Sequence, residues 1–229
     1  MNKAIAVGRE TLGKTVLITN GHHLARRDPA VLLKDYAASG LGVLAISRHH
    51  YDNEASERLM SLHTDVARIA NAWWSGRVDW PDLRLRFTCV LQRGGIDSIE
   101  AIESYVDWAT EIGVPELCFK ELYVSTSVES VYYRHSANEW SHNNQVPLSL
   151  VLDFADRYGF VEVDRLPWGS PVFRGEWRGR LVQIAAYTEP SLLWERAHGV
   201  ARSWNYMSDG RCLVSLEDRA SEIRLPIAA

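Results

Sequence analysis

The stretch "VLITNGHHL", residues 16–24, decides the fold. Val16, Leu17, Ile18 and Thr19 suit a buried strand, and Asn20-Gly21 then breaks it. An Asn-Gly pair after a strand either turns a hairpin or carries a barrel strand into a loop that presents polar groups. The residues downstream choose between the two. Asp28-Pro29 opens a helical stretch, Ala30 to Ala38, with Asp28 as N-cap and Pro29 at the first helical position. A helix follows rather than a second strand, so the hairpin reading loses.

Working outward, the same rhythm repeats. A helix tail, Lys3 to Thr11, precedes the first strand, Thr15 to Thr19. Ser39-Gly40 stops the helix and "GVLAIS", Gly42 to Ser47, is the second strand. "NEASERLMSLHTDVARIANAWW", residues 53–74, reads as one long helix with Leu59, Leu62, Val66 and Ile69 on one face. "LRLRFTCVLQ", Leu83 to Gln92, alternates as a third strand and turns at Gly94-Gly95. Asp97 or Ser98 caps a helix with a stripe of Ile99, Ile102, Val106 and Ala109, and Gly113 ends it. The fourth strand is Glu116 to Leu122. A polar loop, Ser125 to Gln145, leads to a helix from Pro147 to Tyr158, and "FVEVDRL", Phe160 to Leu166, is a short fifth strand.

Strands alternating with helices through short joins imply parallel strands with right-handed crossovers. Residues 166–229 differ, with Gly and Pro punctuation and hairpin-like turns at Arg178-Gly179 and Asp209-Gly210. The expected class is therefore α/β: a partial, incomplete barrel of parallel βα units over 1–165. An irregular, partly antiparallel extension over 166–229 packs on it.

Composition bounds the partners. The 229 residues are 46% hydrophobic and 24% charged, with formal net charge −4. That mild acidity argues against a nucleic-acid face, which needs concentrated positive charge. No apolar run reaches the roughly 18 residues of a membrane span. "MNKAIAVGRE" lacks a signal-peptide core, so the expected location is cytoplasmic. Cys89, Cys118 and Cys212 are far apart without a CxxC pair and read as small buried hydrophobes.

Polar groups collect where the strands end, the end at which α/β barrels bind ligands. The four ends carry Thr19-Asn20-Gly21-His22-His23, Ser47-Arg48-His49-His50, Gln92-Arg93-Gly94 and Lys120-Glu121-Leu122-Tyr123. His22-His23 and His49-His50 admit a metal site. Neighbours in extended chain point to opposite sides, however, so at most one of each pair can face a shared ion. Lys120 and Glu121 read equally as an ion pair. Arg48 and Arg93 have the planar fork that holds carboxylate or phosphate, or are surface arginines. GxGxxG, P-loop, GxSxG and HExxH motifs are absent.

The order "VLITNGHHL", "LKDYAASGLGVLAISRHHYDNEASERLM", "RFTCVLQRGGIDSIEAIESYVDWATEIGVPELCFKELY" resembles the central and later barrel strands of radical S-adenosylmethionine (radical SAM) enzymes. Within that family it is most similar to the branch containing the molybdenum-cofactor cyclase, over roughly residues 14–125. The resemblance implies a TIM-type barrel and S-adenosylmethionine as cofactor. Ser47, Tyr123 and Asn20 would lie on the cofactor side, and Thr19, Arg93 and Arg48 on the substrate side. Arg48 stands where the family often has an acidic residue. Glu121 or Lys120 would donate a proton or orient the substrate, a small molecule or a peptide.

The family's four-iron–four-sulfur cluster is held by CxxxCxxC, because thiolates stabilise the iron and set its low potential. Neither this triad nor the GGEP-like strand occurs here, and both would lie ahead of Met1. "RAHGVARSWNYMSDGRCLVSLED" is similar to the segment around an auxiliary cluster, yet offers only Cys212. The resemblance thus implies a barrel without its first two βα units. Such a chain is a truncated or split portion of a radical SAM enzyme, inactive alone and completed by a cluster-bearing partner chain. A cluster-free binding subunit is one alternative, and a metal-dependent hydrolase or lyase using strand-end histidines is another. The loop 125–145, with Tyr132, Tyr133, Arg134, His135, Trp140 and His142, would cap the cavity or lie exposed.

Overall fold

The computed structural model describes residues 1–125, 128, 130, 133–189, 192–199 (192 and 193 by backbone) and 205–223. In chain order the first elements are α1 (Asn2–Leu12), β1 (Val16–Thr19), α2 (His22–Arg26), α3 (Pro29–Ala38), β2 (Val43–Ser47), α4 (Asn53–Met60), α5 (Val66–Gly76), β3 (Arg84–Leu91), α6 (Ile99–Glu111) and β4 (Glu116–Glu121). Then come α7 (His135–Asn144), α8 (Ser149–Arg157), β5 (Val161–Arg165), β6 (Pro171–Trp177), β7 (Arg180–Tyr187), α9 (Leu192–His198), β8 (Asn205–Tyr206), β9 (Cys212–Leu213) and β10 (Glu222–Ile223). They form two compact units, Met1–Glu121 with Val146–Tyr187, and Leu122–Gln145 with Thr188–Ala229.

The first unit is an open sheet in the order β1-β2-β3-β4-β7-β6-β5. Strands β1 to β4 and β7 run parallel, while β6 and β5 are antiparallel. This is a mixed α/β fold of alternating strand and helix units, a partial barrel with antiparallel strands towards its C-terminal side. The helices start where their caps are. Asp28 Oδ1 accepts from Ala30 N at 3.0 Å, and Ser98 Oγ from Ala101 N at 3.1 Å. Asp97 instead accepts from Gly94 N, so Ser98 is the cap of α6.

Three expectations are corrected. The single helix over 53–74 is two, because Ser61 takes a left-handed φ of 51° and Asp65 starts α5 by accepting from Arg68 N. The polar loop 125–145 contains α7; its Tyr132 lies outside the described residues. The fifth strand does not continue the parallel series. Leu166 N bonds Ser170 O in a tight turn with Gly169 at φ 93°, folding β5 antiparallel onto β6 at the sheet edge. The Arg178-Gly179 turn, both residues at positive φ, then returns β7 into the place parallel to β4. The sheet therefore continues across residue 165.

Strand alternation sorts the sheet into two faces. Leu44, Ile46, Leu85, Phe87, Leu117, Phe119, Ile184 and Ala186 join Leu33, Ile69, Tyr105, Val106 and Phe154 of the helices in one core. The other face is the inner one in the sense of the partial barrel.

The second unit holds a three-stranded antiparallel sheet, β10-β9-β8. Its β8–β9 turn is at Asp209-Gly210, where Met207 N bonds Arg211 O at 2.8 Å. Ser130 Oγ donates to Glu217 Oε1 at 2.9 Å and Ser215 Oγ to Glu195 Oε2 at 2.7 Å, partnering two buried carboxylates. No helix among the described residues is long and apolar enough to cross a membrane.

Candidate functional site

Strand register lays the inner face out in rows. One row crosses six strands as Ile18, Ala45, Arg86, Glu116, Gln183 and Arg174. The next, towards the carboxyl ends of the parallel strands, is Ser47, Thr88, Cys118, Ala185 and Val172. Above it stand Val90, Lys120 and Tyr187. The middle row is made of small side chains, which leaves space on the inner face of a barrel-type sheet. Lys120 Nζ lies over the Tyr187 ring, 5.1 Å from its centroid. Hydroxyls and small groups beneath a cation and an aromatic ring are the chemistry that suits a polar, ring-bearing ligand.

Ser47 and Lys120 are thus brought onto one face. Glu121 follows Lys120 on β4, and alternation turns it to the helix side with Phe119. Thr19 shares the helix side with Leu17 and Ile46. Its Oγ1 accepts from Gly21 N at 3.1 Å, and the exposed Asn20 accepts from His22 N through Oδ1, also at 3.1 Å. Both side chains fold the turn that ends β1. Arg93 is exposed in the turn after β3. Tyr123 belongs to the second unit.

Arg48 is 3% exposed. Its Nε donates to His50 O at 2.7 Å, and Nη2 donates to Tyr51 O at 3.2 Å and to Asn53 Oδ1 at 2.6 Å. The guanidinium lies 5.1 Å over the Trp108 ring, and the Tyr105 hydroxyl donates to Arg48 O. Burial lowers its pKa from the usual arginine value. These bonds lock the loop between β2 and α4.

The histidines also face the backbone. His49 Nδ1 accepts from Val90 N at 3.2 Å, which requires that nitrogen to be unprotonated. Burial first, and Arg48 second, lowers its pKa to about 4. His50 Nδ1 accepts from Asp52 N, and His22 Nδ1 lies 3.0 Å from His63 O. Among the described residues no group of three or more His, Cys, Asp or Glu is placed to hold a metal ion.

The cysteine set does not fit an iron–sulfur cluster. All three thiols are buried. Cys89 packs in the helix-side core while Cys118 faces the inner side, so alternation turns their sulfurs apart. Burial raises Cys89 well above its ordinary pKa and Cys118 to about 11, against the thiolate form that iron needs. Cys212 lies in the other unit.

Sequence reading missed Thr88, Tyr187 and the role of His49. The period-two pattern of "RLVQIAAY", 180–187, carries Tyr187, but its strand lies in the region read as an irregular extension.

No protein-family model and no curated protein matches the chain by sequence. Solved structures of SuiB from Streptococcus suis are similar to it at low identity. With precursor peptide SuiA bound, SuiB shows 19% identity over 52% of this chain and 25% of its own, TM-score 0.40. With S-adenosylmethionine bound, the values are 16%, 68% and 32%, TM-score 0.44. A further SuiB structure gives 14% identity over 91% of this chain, TM-score 0.47. The matches span 25–40% of SuiB's length.

Proposed function

We propose that the chain is a portion of a radical SAM-type enzyme, truncated or split, that binds S-adenosylmethionine at the carboxyl ends of β2, β3 and β4. The observation carrying this reading is the small-residue row Ser47–Thr88–Cys118–Ala185 beneath Lys120 and Tyr187. It sets small side chains and hydroxyl donors next to an aromatic ring, the surroundings that a nucleoside would take. The motif order from Val16 to Tyr123 supports it independently.

When bound with its cluster, that cofactor supplies the radical-forming chemistry. The cysteines of this chain do not fit a cluster, so a cluster-bearing partner chain is part of the proposal. The chain's own residues bind and orient. Ser47 faces the ligand, Lys120 holds or moves a proton on the same face, and Arg48 fixes the loop carrying His49. Asn20 and Thr19 shape the first strand end, and Arg93 stands in the turn after β3. The substrate is a small molecule or a peptide, and the setting is cytoplasmic.

Calorimetric titration with S-adenosylmethionine tests the reading. The expected result is 1:1 binding with Kd below about 100 µM, about −5.5 kcal/mol or tighter. Ser47→Trp, which fills the row, weakens it by about tenfold or more. Absence of binding up to about 1 mM, or an unaffected Ser47→Trp, contradicts it.

A further inference from the structure

Below Ser47 and Lys120, nearer the amino ends of the parallel strands, the inner face carries charge that the adenosyl reading does not use. A cavity of about 570 Å³ is lined there by Lys14, Arg84, Arg86 and Arg174 against only Glu116 and Asp164. Cys118, Val172, Ala185 and Tyr187 of the rows above also line it, whereas Ser47 and Lys120 do not. Volumes of this order accommodate small organic ligands. Barrel interiors are ordinarily packed with branched apolar side chains, so four cations on such a wall call for a reason.

The local pairs leave positive charge over. Glu116 takes up part of two guanidinium groups, with Arg84 Nη1 at 3.2 Å from Oε1 and Arg86 Nε at 3.7 Å from Oε2. Among the described residues, Arg174 Nη2 donates to the neutral amide oxygen of Gln183, at 3.3 Å. Two polar atoms of this wall are also buried without a hydrogen bond. One is a donor, Trp168 Nε1, whose ring stands edge-on to Tyr187 at 5.7 Å. The other is an acceptor, Glu116 Oε2. Leaving a buried polar group unmet costs about 1–3 kcal/mol, and native structures rarely keep such groups without cause.

We propose that this cavity binds a carboxylate that also carries a hydrogen-bond donor. Its carboxylate accepts from the Arg174 and Arg86 guanidinium groups and from the Trp168 indole N–H. Its hydroxyl or amino hydrogen meets Glu116 Oε2. The same chemistry occurs in a free hydroxy- or amino-carboxylate and in an acidic peptide, whose glutamates bring carboxylates and whose backbone brings N–H groups. The two sources are separated by probe. The inference goes beyond the proposed cofactor binding, although the two sites share the Cys118, Ala185 and Tyr187 wall.

The test is calorimetric titration of the whole chain at low ionic strength, with citrate as the free probe and acetylated tetraglutamate as the peptide probe. The expected result is saturable 1:1 binding of at least one probe with Kd below about 1 mM. Arg174→Gln removes an exposed charge and Trp168→Phe keeps the ring while removing the N–H; either weakens binding by about fivefold or more. Arg27→Gln, at an exposed residue that does not line the cavity, leaves it unchanged. Citrate alone binding identifies a free carboxylate as the ligand, and tighter peptide binding identifies a polypeptide. Absence of saturation by either probe up to about 5 mM overturns the proposal. Binding that neither Arg174→Gln nor Trp168→Phe alters overturns it equally.

Discussion

Gly21 stands at φ 75°, and a Cβ there would meet Ile69 at 3.1 Å, Ile46 at 3.2 Å and Thr64 at 3.3 Å. Two independent penalties fall on one position: a left-handed backbone and a space closed by a strand and a helix. Gly21→Ala therefore loses about 1–3 kcal/mol, read as a lowered denaturant midpoint. The Thr-Asn-Gly sequence is legible in these terms, since Thr19 and Asn20 both cap the turn that Gly21 makes. His49 was legible only as a strand-end polar residue, because its partner, Val90 N, lies 41 positions away. Burial holds the folded His49 neutral down to about pH 4, whereas an ordinary histidine takes a proton near 6.5. The unfolded chain thus binds more protons in that window. The stabilisation is complete above about pH 6.5 and is lost as pH falls towards 4, by at most about 3 kcal/mol. His49→Asn keeps an acceptor for Val90 N without titrating. Urea melts across this range will show a smaller acid loss for the variant than for the wild type; equal losses would remove His49 from the account.

Among the elements, the parallel order was readable because each strand run is followed by a capped helix, as at Asp28-Pro29 and Ser98. The split at residues 61–65 was hidden by apolar residues that keep helical spacing through it. Asp65 was the available signal, an N-cap just before Val66. The place of β5 could not be read from its own residues, since what fixes it is the pair of turns on either side of β6. β1 has consequences of its own. It lies at the end of the sheet and exposes Ile18 by 71% and Val16 by 45% on the inner face. An edge strand with exposed β-branched residues invites pairing with another chain. The purified chain is expected to self-associate with rising concentration in analytical ultracentrifugation. Ile18→Lys, placing a charge on that edge, shifts the distribution towards monomer. A wild-type chain that stays monomeric at every concentration would count against this.

Over the whole molecule, the inner face is one surface with graded chemistry. Charge lies on the Arg86–Glu116–Arg174 row, small groups on the Ser47–Ala185 row, and Lys120 with Tyr187 at the carboxyl ends. The sequence displays the ends but not the rows, because rows are set by register between strands as distant in the chain as those of Glu116 and Gln183. That is why Ser47 and Lys120 were both read as site residues, whereas Tyr187 was not. It is also why Arg48, one residue from Ser47, turns to the opposite side and spends its donors on its own loop. The most direct test of the central claim is a two-dimensional amide NMR titration of the chain with S-adenosylmethionine. The account predicts concentration-dependent shifts concentrated at Ser47, Thr88 to Val90, Lys120 and Tyr187. Shifts absent at saturating cofactor, or confined to the helix-side core around Phe87 and Phe154, would contradict it.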